Sequence, residues 1–494
     1  MWSVALFGVS LVVIYIVHWV YRWSNPKCNG ILPPGSMGFP LIGETLQYFI
    51  PTPSIDIQPF IKKRMDRYGA LFKTSLVGRP VVISTDPEIN QFIFQQEGKL
   101  FQIWYMDTFT EIFGEESLIS VHGFVHKYLR SLILSIFGSE NLKEKLLPAM
   151  EQQTIKHLKF WTSQDSIELK YGISSMIFEL VAKKLISYDE EISSKKLLES
   201  FMIFIRGLIS FPLNVPGTTY YKCLQGQKKI MKMLKELLDE RVASPEKQHG
   251  DFFDIIIKEI KKEGSLLSER IALHLLFTLL FASYETTSEV LAFGMKMLEE
   301  HPQVLEELTK EHEEIIRNRK DKDSGITWKE YKSMTFTSMV INEMVRLANI
   351  APGIFRKATA DVEINGKFKI FLMQIEICVG YIIPAGWAVM VCAPVVHLNP
   401  KKYDDPVAFN PRRWENMETN AGSKNFIAFG GGSRFCVGAE FAKLQIAIFL
   451  HYLITGYRWK TIKGGNLVRC PGLAFPNGIY IKLSEKQKSI ISNN

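Results

Sequence analysis

The residues with most chemistry to offer lie in the stretch Phe429 to Gly438, which reads FGGGSRFCVG. A cysteine that opens a helix near positive charge has its thiolate favoured, because helix-terminal N–H groups and cations both lower its pKa. Cys436 has that placement. Gly430, Gly431 and Gly432 allow the backbone to turn sharply and to approach a flat ligand, and Arg434 offers a guanidinium fork for a carboxylate on it. Together these point to a thiolate reaching for haem iron. Further upstream, Ala282-Ser283-Tyr284-Glu285-Thr286-Thr287 sits in a long apolar helical run. Polar groups there are costly unless paired or functional. The bland alternative has the hydroxyls bonded to carbonyls one turn back and Glu285 at a surface. Cys28, Cys223, Cys378, Cys392 and Cys470 show no C-x-x-C spacing, so neither a zinc site nor a disulfide framework is indicated.

The spacing Phe-x-x-Gly-x-Arg-x-Cys-x-Gly resembles the haem-binding signature of the cytochrome P450 monooxygenases, and further motifs extend the likeness over nearly the whole chain. Glu343-x-x-Arg346, then Phe409-x-Pro411-x-Arg413-Trp414, precede the cysteine in the family's order. The resemblance implies that Glu343, Arg346 and Arg413 interlock behind the haem, in a structural role. It implies that Cys436 is the axial ligand of haem b, that Arg434, Arg130 and Arg356 meet the propionates, and that His126 does so where the family usually has Trp. Glu285 and Thr286 would pass protons to the oxygen being activated; Ser283 stands where Gly is usual. Phe101, Trp104, Tyr105, Phe211, Ala282, Ile354 and Phe355 would line the substrate pocket. The closest resemblance is to plant microsomal members acting on sterols, triterpenoids and brassinosteroid-type hormones. Its implied activity is hydroxylation with O2 and electrons from NADPH, relayed by a membrane-bound NADPH–cytochrome P450 reductase docking near Lys127, Lys424 and Lys443. A sterol oxidised on its side chain is expected ahead of a triterpenoid oxidised on its rings. Two other classes share the fold: a haem isomerase or dehydratase that needs no reductase, and a non-catalytic haem or sterol binder. Members of the former typically lose the acid and Thr pair kept here.

These residues need elements to position them. The chain has 494 residues, 47% hydrophobic and 12% aromatic, enough for one large core, and no low-complexity linker interrupts it. Its net charge of +8 is dispersed, which argues against nucleic acid and for a membrane surface or acidic partner. Residues 1–23 read as a transmembrane anchor with an aromatic end, 24–40 as a stiff proline-rich hinge, and 41–494 as the catalytic domain. Anchor and flanking charge place the catalytic domain in the cytosol, on a single-pass protein of the endoplasmic reticulum membrane. Leu71 to Ile83 alternates like paired strands, and Ser268 to Glu300 reads as a buried, Ser-capped helix. The apolar Phe211 to Pro216 loop is expected to touch the bilayer. The fold class expected is mainly α with small β-sheets, the cytochrome P450 fold. One run departs from that pattern: the fourteen residues Lys367 to Gly380 are mostly apolar and find no evident core at a hairpin tip, so they are read as a splicing or gene-model inclusion.

Overall fold

A computed structural model describes residues 2–189, 197–208, 210, 212–321, 324–370, 375–417 and 422–487. Helix α1 (Trp2–Ser24) contains a span, Ala5–Ser24, that is long and apolar enough to cross a membrane and is 0% buried in the rest of the protein. Beyond it, Trp23 Nε1 donates to the carbonyls of Met37 and Gly38 at 3.3 and 3.2 Å, folding the chain back toward the helix end. The proline-rich segment does not stand off as a free hinge. Lys73 N donates to the Pro34 carbonyl and Ile382 N to the Ile31 carbonyl, each at 2.8 Å. Prolines impose the extended backbone and bring no N–H of their own, so docking against strands leaves few donors to satisfy.

The main sheet holds five strands: β1 (Leu71–Leu76), β2 (Arg79–Ser84), β3 (Phe101–Ile103), β4 (Ile354–Ala358) and, after a separate hairpin, β7 (Ala388–Val391), in the order β1-β2-β7-β4-β3. β1 and β2 form a hairpin through Val77 and Gly78, both at positive φ, the geometry that matches strand twist in a two-residue turn. The short edge strand β3 pairs with β4 in a register that sets Ile103 opposite Arg356.

The separate hairpin is β5 (Val362–Ile370) with β6 (Ile375–Ile383), and it absorbs the extra run. Pairing continues from Val362↔Ile383 to Ile370↔Ile375 without a register shift. The ladder therefore takes up the segment's backbone groups, a role that expectation from its apolar side chains did not supply; residues 371–374 lie outside the described ones.

Helices make up most of the rest. α2 (Pro87–Gln95) starts with Pro87 and is capped by Asp86, which accepts from Glu88 N and Ile89 N. α3 (Asp107–Phe113), α4 (Gly123–Phe137) and α5 (Leu169–Ile186) lead to the long α6 (Glu269–Glu300), where Ser268 Oγ accepts from Ile271 N. α6 is apolar nearly all round and is buried along most of its length, with α5, α7 (Thr335–Ala348) and α8 (Ala439–Gly456) packed on it. α8 follows the cysteine loop directly. Mainly α with small sheets is what the chain forms.

Candidate active site

The construction begins behind the cysteine loop. On α7, Glu343 and Arg346 lie one turn apart with both side chains 0% exposed, joined by two bonds of 2.8 and 2.7 Å. Arg413 Nε donates to Glu343 at 3.0 Å, Trp414 Nε1 at 2.9 Å and Asn410 N at 3.0 Å. The remaining guanidinium N–H groups of Arg346 go to the carbonyls of His397, Pro406 and Ala408. A buried carboxylate and two buried guanidiniums are tolerable only when nearly every lone pair and N–H is used, as here. The network clamps residues 397–414 to α7.

In the loop itself, Cys436 N donates to the Phe429 carbonyl at 2.9 Å, and Arg130 of α4 donates to the Phe435 carbonyl at 2.7 Å. Gly430 and Gly432 sit at φ +77° and +63°. A Cβ on Gly431 or Gly432 would meet Phe94 of α2 at 2.5 or 2.4 Å. Those two glycines thus admit the neighbouring helix, where the sequence suggested approach to a ligand. α8 opens at Ala439, three residues after Cys436. Burial pushes the Cys436 thiol above its ordinary value, outweighing the Gly438 N–H and the Arg130 charge that pull it down. The lowering expected from helix and charge alone is reversed by desolvation, which penalises the thiolate. Cys436 nevertheless keeps exposed surface. A side chain that is accessible yet surrounded by protein lines an internal cleft.

Around this cleft three guanidiniums gather. Arg356 of β4 and Arg434 of the loop both meet Glu97, at 2.6 and 3.1 Å. Arg434 also donates from Nη2 to the Val121 carbonyl at 2.8 Å, while its Nη1 is buried without a partner. His126 is buried beside them, and its pKa is pushed down to about 4 by burial and then by Arg434, Arg130, His122 and Arg356. Burial and Arg434 also lower His122. Cationic groups exceed carboxylates here, so the cleft suits an anionic ligand.

Along α6, from Ala272 to Leu298, only Ala282 and Thr286 are exposed, and they are one turn apart on one face. Thr286 Oγ1 donates to the Ala282 carbonyl at 3.2 Å, the i−4 bond of the bland alternative. Glu285 is not free at a surface: Lys170 of α5 donates to it at 2.8 Å and also pairs with Glu289. Burial alone would lower the Lys170 pKa, but Glu289 and Glu285 outweigh it and hold it above its ordinary value. Beside this face Phe281, Phe113 and Phe204 pack edge to face with centroids 5.3 to 5.6 Å apart.

The expected pocket residues divide. Trp104 meets Phe355 edge to face at 6.0 Å and Tyr105 stacks on Phe109 at 5.7 Å, all four only partly buried, as is Ile354. Phe101 is a correction: it is 0% exposed, paired with Ala358 and packed on Phe92, because the edge strand turns it into the core. Phe211 lies outside the described residues. Sequence reading missed Glu97, Lys170, Phe113, Phe204 and Phe281. Only Phe281 carried a local signal, standing next to Ala282; the others are brought in by distant segments. Of the lysines named for docking, Lys127 is exposed, Lys424 is paired with Glu88 at 2.7 Å and Lys443 lies over the Phe429 ring at 5.5 Å.

An accessible thiol at the glycine-rich loop, an excess of guanidinium charge beside it and a mainly helical fold fit the haem-thiolate class of protein. Among the described residues no group of three or more His, Cys, Asp or Glu side chains is placed to hold a metal ion. The chain belongs to the cytochrome P450 family, whose model matches residues 33–477. It is 57% identical over 472 residues to cytochrome P450 87A3 of Oryza sativa subsp. japonica, covering 95% of this chain and 89% of that one. It is 43% identical over 490 residues to the beta-amyrin 16-alpha-hydroxylase CYP87D16 of Maesa lanceolata, covering 99% and 100%. The retinoic acid-bound cyanobacterial CYP120A1 superposes with a TM-score of 0.78 at 25% identity, over 93% of this chain and 100% of that one. The protein is accordingly a monooxygenase that uses haem b and takes electrons from NADPH through a reductase.

Proposed function

We propose that the protein hydroxylates a rigid polycyclic lipid, a triterpenoid or sterol, at the endoplasmic reticulum membrane, with ring oxidation of a triterpenoid favoured. The observation that carries it is the exposed Ala282–Thr286 face on an otherwise buried helix, with the partly buried Phe281 beside it and the core residues Phe113 and Phe204 packed against Phe281. Such a face offers apolar contact with few orienting polar groups, the composition of a pocket for a lipid. The relative named as a beta-amyrin hydroxylase moves the balance from the sterol side chain to the triterpenoid ring. The anchor helix and the exposed Leu213 and Val215, 50% and 53% accessible, suit arrival from the bilayer.

Each residue then has a task. Cys436 would hold the iron, and Arg434, Arg130, Arg356 and neutral His126 would meet the haem carboxylates. The bound haem supplies the oxidation. Thr286 Oγ1 would move a proton toward the cleft, and Glu285, ion-paired with Lys170, would return one to it from solvent. Glu343, Arg346 and Arg413 hold the loop that carries the thiolate.

Co-expression with a plant reductase in triterpenoid-producing and sterol-fed yeast, followed by mass spectrometry, tests this. A hydroxylated triterpenoid is the expected product. Oxidised sterol alone would overturn the preference for the triterpenoid ring, and turnover only of small water-soluble acids would overturn the substrate class. Product formed without reductase or NADPH would instead select an isomerase or dehydratase.

A further inference from the structure

Glu97 stands in the turn after α2, where Gly98 N donates to the Phe101 carbonyl at 2.7 Å and Glu97 Oε1 accepts from Ile103 N at 3.2 Å. Since β3 pairs Ile103 with Arg356, the ladder itself delivers the carboxylate to that guanidinium. The Arg356 Nε–Glu97 Oε2 contact is 2.6 Å and the Arg434 Nε–Glu97 Oε1 contact 3.1 Å, with side chains only 2%, 7% and 7% exposed for Arg356, Glu97 and Arg434. The first is an ion pair whose angle is too poor for a hydrogen bond. Both arginines are therefore gripped by the Nε edge. That leaves Arg434 Nη1 buried and without a partner.

We propose that Glu97 is a positioning residue of the haem pocket: it fixes the orientation of Arg356 and Arg434 and brings the pocket to charge neutrality once haem is bound. The inference rests on the haem-site reading above. Arg130, Arg356 and Arg434 contribute three positive charges and Glu97 removes one, leaving two, which is the number of carboxylates haem b carries. His126 and His122, both held below their ordinary pKa by burial, add no charge at neutral pH. Buried ions left uncompensated are strongly unfavourable, so the balance bears on the affinity and the electronics of the site. With Glu97 removed, one guanidinium charge is left over near the haem and favours the added electron of the ferrous state.

The test is spectroelectrochemical titration of the purified full-length holoprotein, wild type against Glu97→Gln and Glu97→Asp. Glu97→Gln is expected to keep the reduced carbon monoxide band of a thiolate-ligated haem while its ferric–ferrous equilibrium shifts roughly tenfold toward ferrous, about 59 mV for one electron. Glu97→Asp, which retains the charge, is expected to stay near wild type. An unchanged midpoint potential in a fully haem-loaded Glu97→Gln protein overturns the proposal. Should Glu97→Gln fail to hold haem, retention by Glu97→Asp supports it and equal loss from both overturns it. A wild-type protein lacking the thiolate-type band would fail the haem-site reading itself, irrespective of Glu97.

Discussion

The region behind the cysteine loop and the face of α6 that carries Thr286 are built on opposite terms. Behind the loop, Glu343, Arg346 and Arg413 are buried ions with geometry dictated by directional bonds to one another and to carbonyls. On the α6 face, Phe281, Phe113 and Phe204 meet by shape, and the polar groups are few. Directional networks specify one arrangement and fail abruptly, because removing one member strands the others in low dielectric. Aromatic walls yield gradually, since apolar contact is non-directional and a neighbouring side chain can fill part of a gap. A fixed thiolate behind a more adaptable pocket lets the chemistry stay constant while the substrate contact changes.

Breaking the rigid side should therefore have the largest effect. Glu343→Ala leaves Arg346 and Arg413 buried and unpaired, at a cost of about 3–5 kcal/mol. Little haem-loaded protein is expected, as measured by carbon monoxide difference spectra and thermal melts; a normal yield would contradict the clamp. Cys436→Ser should fold, since the loop's backbone bonds survive, but lose the thiolate-type carbon monoxide band. An unaltered band would remove Cys436 from the iron.

Thr286→Ala should spare haem and substrate binding yet cut product per NADPH consumed, with electrons diverted to peroxide. Proton transfer by a placed side chain is worth about 10²–10⁴-fold, so a clear fall is expected. Equal coupling in the variant would exclude Thr286 from the relay.

Acid should sharpen the contrast without any mutation. His312 and His397 are pushed down to about 3 and His451 to about 4, in each case first by burial. Their folded values lie below the ordinary 6.5, so the unfolded chain binds more protons and stability is lost as pH falls from 6.5 toward 3. His397 Nε2 accepts from Ile427 N at 3.1 Å just ahead of the cysteine loop, which ties this loss to the rigid side. The melting temperature should drop across that window; a flat profile would count against neutral buried histidines.

Phe281→Ala should matter least to the fold. It costs the folded state two aromatic pairs worth about 0.5–1.5 kcal/mol each, and, by removing apolar surface beside Ala282 and Thr286, is expected to weaken substrate binding by up to about tenfold and to give more than one hydroxylated product. Substrate-induced spectral titration and product analysis would measure both. A large loss of haem content instead would show that the wall and the clamp are one unit.

Local pattern was enough to place the cysteine loop and the polar step in α6, because each is a short run in which neighbouring residues do the work, whereas Glu343-x-x-Arg346 took its weight from its order before Phe409-x-Pro411-x-Arg413-Trp414 and the cysteine. Ser268 as a cap and the alternation from Leu71 were likewise legible, since capping and strand pairing answer to the residues themselves. Tertiary structure decided the rest. Glu97 reaches Arg434 across 337 positions and Lys170 reaches Glu285 across 115, separations over which sequence carries no pairing signal. Phe101 looked like a pocket residue because an aromatic side chain favours burial in a core as readily as in a cavity wall; pairing with Ala358 chose the core. The thiol of Cys436 rose where its local setting called for a fall, because desolvation depends on every atom packed around a group and not on its neighbours in the chain.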